Sequence, residues 1–130
     1  CATCDAPLYK DKKVAVIGGG NSGMEAALFL SKYAKKVYLL NLLENLTGEP
    51  HLKEKVQEEK RISIIPKAKT LKILGNEFIT GLKYIQEEKE KQINIQGVFI
   101  EVGLVTNVDF TDVKKNKWGE IMIFRSSKTH

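Results

Sequence analysis

Arginine, cysteine and long apolar runs are all scarce in this 130-residue chain, and each shortage rules something out. Arg61 and Arg125 are the only arginines, so the net charge of +5 is carried almost wholly by lysine. The lysines are interleaved with acids, as in "HLKEKVQEEKR" and "EEKEKQ". That is a solvated mixed surface, unlike the basic face with arginine forks that grips nucleic acid. Cysteine occurs only at Cys1 and Cys4, and the two histidines, His51 and His130, stand at no ligand-like spacing to them. Zinc asks for three or four protein ligands, so no metal site is expected. No apolar stretch approaches the roughly 20 residues that cross a bilayer, and the first residues form no charged-then-apolar leader. A cytoplasmic protein with no membrane or nucleic-acid partner is the expectation. In a reducing compartment, a lone Cys-x-x-Cys reads as a redox pair.

What the chain does have is alternation of strand and helix patterns. "KVAVIG" (13–18) is a short β-branched run of the kind buried on both faces of a sheet. "SGMEAALFLSKYA" (22–34) follows with apolar residues at three- and four-residue intervals, and Asn21 or Ser22 is positioned to cap it. "KKVYLLN" reads as a second buried strand, completing a compact βαβ unit. A charged helix beginning near Pro50, with Leu52 and Val56 as its apolar pair, leads to the strand "ISIIP". "KTLKIL", "EFITGLKYIQEE" and "KQINIQ", separated by "GN" and "EKEK", read as a three-stranded antiparallel meander. "GVFIEVG" is a further buried strand, and "EIMIF" a last short one after a loop. The expected fold is α/β: a Rossmann-like three-layer sandwich whose central parallel sheet carries helices on one face and the meander on the other. One domain of modest core suits this length.

Between the first strand and helix lies "GGGNSG", which contains G-x-G-x-x-G as Gly18, Gly20 and Gly23. In that context the three glycines serve a tight turn, close approach of backbone to a pyrophosphate, and close helix–sheet packing. Gly19, Asn21 and Ser22 complete the candidate phosphate-binding loop, whose N–H groups and helix dipole favour an anion. An acidic residue is expected about 20 positions on, at the end of the second strand, to bind ribose hydroxyls. Here Asn41 stands 23 residues beyond Gly18, followed by Leu42 and Leu43. An amide can bond a hydroxyl but lacks charge, and two leucines cannot hold a 2′-phosphate as arginines would. Glu44 could turn toward the ribose or simply stay solvated.

Taken together, "CATCDAPLYKDKKVAVIGGGNSGMEAALFLSKYAKKVYLL", "GVFIEVGLVTNVDF" and "GEIMIF" resemble the thioredoxin reductase and alkyl hydroperoxide reductase flavoprotein family. The resemblance implies an NAD(P)-binding domain over residues 1–130, with a redox lead-in at 1–12, a nucleotide-binding core at 13–107 and a return toward a flavin domain at 108–130. It implies NADH or NADPH and, in the longer protein, FAD, with electrons passing to a Cys-x-x-Cys disulfide and then to a thioredoxin-like or peroxidase-linked protein partner. Cys4 would face the flavin, Cys1 would exchange with the partner, and Asp5 would manage the proton. Glu25 would lie near the nicotinamide, with the backbone of Val102 and Gly103 alongside it; a homodimer is implied for the longer protein. Without the resemblance, Asp5 reads equally as a turn-capping surface residue and Glu25 as a favourable helix-dipole charge. Asn41, Leu42 and Leu43 stand where members that prefer NADPH carry a His-Arg-Arg-like stretch and members that prefer NADH tend to have an acid at the first position. Thr106 replaces the proline usual before Asn107. NADH is therefore expected over NADPH. The alternatives are a scaffold with little nicotinamide binding that uses another electron donor, or a non-catalytic nucleotide sensor.

Overall fold

The computed structural model describes residues 6–101 and 121–124. In chain order they form a 3-10 helix at Ala6–Tyr9, β1 (Lys13–Ile17), α1 (Asn21–Leu30), β2 (Lys36–Leu40), α2 (Pro50–Glu58) and β3 (Ile62–Ile65). Then come β4 (Ala68–Gly75), β5 (Ile79–Gln86), β6 (Lys89–Asn94), β7 (Gly97–Glu101) and β8 (Ile121–Phe124). Five of the strands make a parallel sheet in the order β3-β2-β1-β7-β8; β4, β5 and β6 make a separate antiparallel sheet. Val14 lies opposite Val37 on one side and Gly97 on the other, so β1 is the central rib. The chain leaves β1 toward β2 and β3, then returns to the opposite side through β7. Strand order therefore reverses at β1, and the carboxyl ends of β1 and β7 flank the crevice where such sheets bind ligands.

Each face of the sheet has its own core, divided by the two-residue alternation of a strand. Val14 and Val16 of β1, Val37 and Leu39 of β2 and Phe99 of β7 pack with Met24, Ala27 and Leu30 of α1 and Val56 of α2. Their neighbours Ala15, Leu40, Val98 and Ile100 pack the other way, against Ile73, Ile79 and Leu82 of the meander. Helices on one side and the meander on the other make the three expected layers. The lead-in contributes as well: Ala6 and Tyr9 are buried on the helix side, and the Tyr9 ring meets Phe99 edge-on with centroids 5.4 Å apart. Among the described residues no helix is long and apolar enough to cross a membrane.

Three local expectations are corrected. α1 starts at Asn21 with Gly20 as its N-cap, and neither Asn21 nor Ser22 caps it with a side chain. Asn21 is already inside the helix, and its Oδ1 instead accepts the Glu49 N–H at 2.8 Å. The helix also stops at Leu30 rather than running to Ala34. The N–H groups of Lys32 and Tyr33 turn back three residues to Phe29 and Leu30, and Arg61 Nη1 donates to the carbonyls of Ser31 (3.1 Å) and Ala34 (3.5 Å). A guanidinium there satisfies acceptors that a helix end leaves open. In the meander, Lys89 and Glu90 belong to β6 rather than to a connecting segment. The hairpin turn is only Glu87 and Glu88, both left-handed (φ 52° and 68°), which is the geometry a two-residue hairpin requires.

Candidate functional site

The glycine turn leaves β1 at the carboxyl edge of the sheet. Gly18 donates its N–H to Leu40 O at 2.9 Å, extending the β1–β2 ladder by one step, and then turns with φ 131°, a conformation that L side chains rarely adopt. Five residues later the helix presses back on this point. A Cβ on Gly23 would overlap the Gly18 carbonyl oxygen, so α1 sits closer to the strand end than any other residue allows. Gly20, by contrast, faces open space: a Cβ there would meet only Thr47 Oγ1, at 3.7 Å. Met24 N–H makes the first helical bond, to Gly20 O at 3.0 Å, and no side chain caps the turn before it. The amides of Asn21, Ser22 and Gly23 thus form the positive mouth of α1, unclaimed by a capping side chain and next to an open Gly20.

The segment after β2 folds over one flank of this mouth. Thr47 N–H donates to Gly19 O at 2.9 Å, Glu49 N–H donates to Asn21 Oδ1, and Gly48 lies so close to Asn21 and Met24 that a Cβ would collide with both. Asn41 is placed beneath Gly19: a Cβ on that glycine would run into the Asn41 amide. Its side chain is only 4% exposed, and its Nδ2 has no hydrogen-bond partner. Leaving a buried donor unmatched costs about 1–3 kcal/mol, so the amide is held beneath Gly19 at some expense. Leu42 and Leu43 point outward, 66% and 55% exposed. Glu44 reaches Lys67 of the β3–β4 turn, Nζ to Oε1 3.9 Å.

The structure therefore brings together Gly18, Gly19, Gly20, Asn21, Ser22, Gly23 and Asn41 at one edge. Glu25, the fifth residue of α1, is exposed just beyond the first turn rather than in it, so any dipole benefit to its charge is weaker than expected. Cys1, Cys4, Asp5, Val102 and Gly103 lie outside the described residues. Sequence reasoning missed Thr47, Gly48, Lys67 and Glu101. Lys67 carries no motif; only the parallel pairing of β3 with β2 brings it to Glu44. Glu101 ends β7 at the switch point, half-buried, and desolvation raises its pKa from the ordinary glutamate value.

With this geometry in view, comparison with known proteins is informative. The family model for pyridine nucleotide-disulphide oxidoreductases matches residues 1–130. The chain belongs to that family. An alkyl hydroperoxide reductase protein of Staphylococcus epidermidis is 37% identical across 100% of this chain, which covers 26% of that protein. A protein named NADH dehydrogenase from Bacillus subtilis is 35% identical over 99% of this chain and 26% of its own length. The chain thus spans about a quarter of the relatives it matches. Among solved structures, Thermoplasma acidophilum thioredoxin reductase superposes with a TM-score of 0.76 at 29% identity, over 99% of this chain and 48% of that one. Lactococcus lactis thioredoxin reductase gives the same TM-score at 22% identity, over 100% of this chain and 50% of its own, and supports the fold. In this member of the family the glycine turn stands at the carboxyl edge of the parallel sheet, at the mouth of α1.

Proposed function

We propose that this chain is the NAD(P)H-binding segment of a flavoprotein disulfide reductase. The observation that carries the proposal is the mouth of α1: three amides without a side-chain cap, beside an open Gly20, at the point where strand order reverses. The N–H groups of Asn21, Ser22 and Gly23 would hold the diphosphate, Asn41 the adenosine ribose, and Glu25 with the backbone of Val102 and Gly103 the nicotinamide side. When bound, the nucleotide supplies a hydride, which with one proton is the stoichiometry for opening one disulfide to two thiols, FAD in the longer protein standing between. Cys1 and Cys4 would be that disulfide, Cys4 toward the flavin and Cys1 toward a thioredoxin-like or peroxidase-linked partner, with Asp5 handling the proton. The isolated chain is not expected to turn over.

Gly20→Val tests this. Gly20 is extended (φ −91°, ψ −165°), which valine tolerates, and its Cβ direction is open, so the fold should survive with only the loss of about 1 kcal/mol that goes with replacing an N-cap glycine. A branched side chain there stands between backbone and phosphate. Calorimetric titration with NADH should show at least a tenfold weakening, about 1.4 kcal/mol. Equal affinity in the variant would reject the phosphate site. The buried Asn41 in place of a carboxylate favours a second reading, a scaffold fed by another electron donor; failure of the folded wild-type chain to bind either nucleotide at millimolar concentration would select it.

A further inference from the structure

We infer that the Glu44–Lys67 pair sets the discrimination between NADH and NADPH, an inference that rests on the nucleotide-binding reading above. Three backbone hydrogen bonds zip the β3–β4 turn onto the stretch that follows β2. Asn41 N–H donates to Ile65 O (2.9 Å), Ala68 N–H to Asn41 O (2.9 Å) and Lys67 N–H to Leu43 O (3.0 Å). Lys67 itself is left-handed, φ 54°, a conformation more usual for glycine or asparagine, and its ammonium reaches Glu44 on the stretch after β2. The end of β2 is where an adenosine ribose is held in this type of sheet, so a 2′-phosphate would arrive on the side of the Glu44–Lys67 pair.

The pair's chemistry then decides what is accepted. A 2′-phosphate brings close to two negative charges, whereas the ribose hydroxyl of NADH brings none. A lone Lys67 would attract the phosphate. With Glu44 beside it, that attraction is offset by a carboxylate that repels the phosphate. Leu42 and Leu43, which separate Asn41 from Glu44 in sequence, are largely exposed and offer a phosphate no donor side chain. Asn41, the buried polar residue at the end of β2, is uncharged and adds no attraction for a phosphate. The pair is also easily broken: the separation of 3.9 Å and side-chain exposures of 46% for Lys67 and 71% for Glu44 mark it as weakly bound. Specificity would therefore respond to single charge changes without disturbing the fold.

Titrating the full chain with NADH and with NADPH, in the wild type and in Glu44→Gln, Lys67→Gln and the double variant, tests the inference. Glu44→Gln should raise affinity for NADPH about 3- to 10-fold and leave NADH unchanged, a size fitting the gain of one exposed charge contact. Adding Lys67→Gln should cancel that gain, and raising the ionic strength should erode it. If both nucleotides bind and their ratio is the same in Glu44→Gln as in the wild type, the inference is overturned while the nucleotide site stands. If neither nucleotide binds the folded wild-type chain, the nucleotide-binding reading falls and this inference with it.

Discussion

At the scale of single residues, Asn41 and Glu101 show what a linear reading reaches and what it misses. The distance from Gly18 was enough to pick Asn41 as the polar residue at the end of β2, beside the glycine turn. Nothing in that count could show its side chain tucked under Gly19 with an unmatched Nδ2, because the contact joins two loops through the sheet. Glu101 gave no signal at all; in "GVFIEVG" it is one polar residue near the end of a strand. Its burial has a consequence with a definite sign. An unfolded glutamate titrates near about 4.3, and the folded Glu101 keeps its proton to higher pH because desolvation disfavours the carboxylate. The folded state then binds a proton that the unfolded chain has released. This group's contribution to stability is complete below about pH 4 and is lost as pH rises through the folded value. Glu101→Gln should flatten that part of the profile, read as urea midpoints from pH 4 upward. Parallel profiles for variant and wild type would show that the carboxylate is not held in a desolvated place.

At the scale of elements, periodicity located every strand of the parallel sheet that lies among the described residues, because runs such as "KVAVI" are buried on both faces and alternate between two cores. Helix ends were harder to read. Asn21 looked like a cap from its residue type, yet it serves the loop after β2, and Arg61, thirty residues from Ser31, closes the far end of α1. The Glu87–Glu88 turn was misplaced because neither residue is a type that usually accepts a left-handed backbone. The interlock of α1 with β1 was legible from the glycine spacing, and it leads to a sharp contrast. Gly23→Ala would force a Cβ onto the Gly18 carbonyl, backbone against backbone, and should cost at least the upper end of about 1–3 kcal/mol in a urea melt. Gly20→Val, three positions earlier, should cost only about 1 kcal/mol, the loss of an N-cap glycine. Similar losses for the two would mean that the turn is merely intolerant of side chains.

For the molecule as a whole, the layers were foreseeable because strand, helix and meander patterns follow one another along the chain in the order that builds them. The flank of the site was not. Thr47, Gly48 and Glu49 sit in a stretch with no motif, and they reach the glycine turn only because α2 must start where its first residues can pack beside α1. That closure ties two crossovers together through the Glu49 N–H and Asn21 Oδ1. A dinucleotide settling on the amides of Asn21 to Gly23 would steady both partners of that bond. Deuterium uptake at the Glu49 amide should slow in proportion to occupancy, though the amide itself touches no ligand. Uptake unchanged at saturating nucleotide would mean that the flap and the mouth breathe independently. Otherwise a loop that reads in one dimension as mere connection acts as a recorder of whether the site is full.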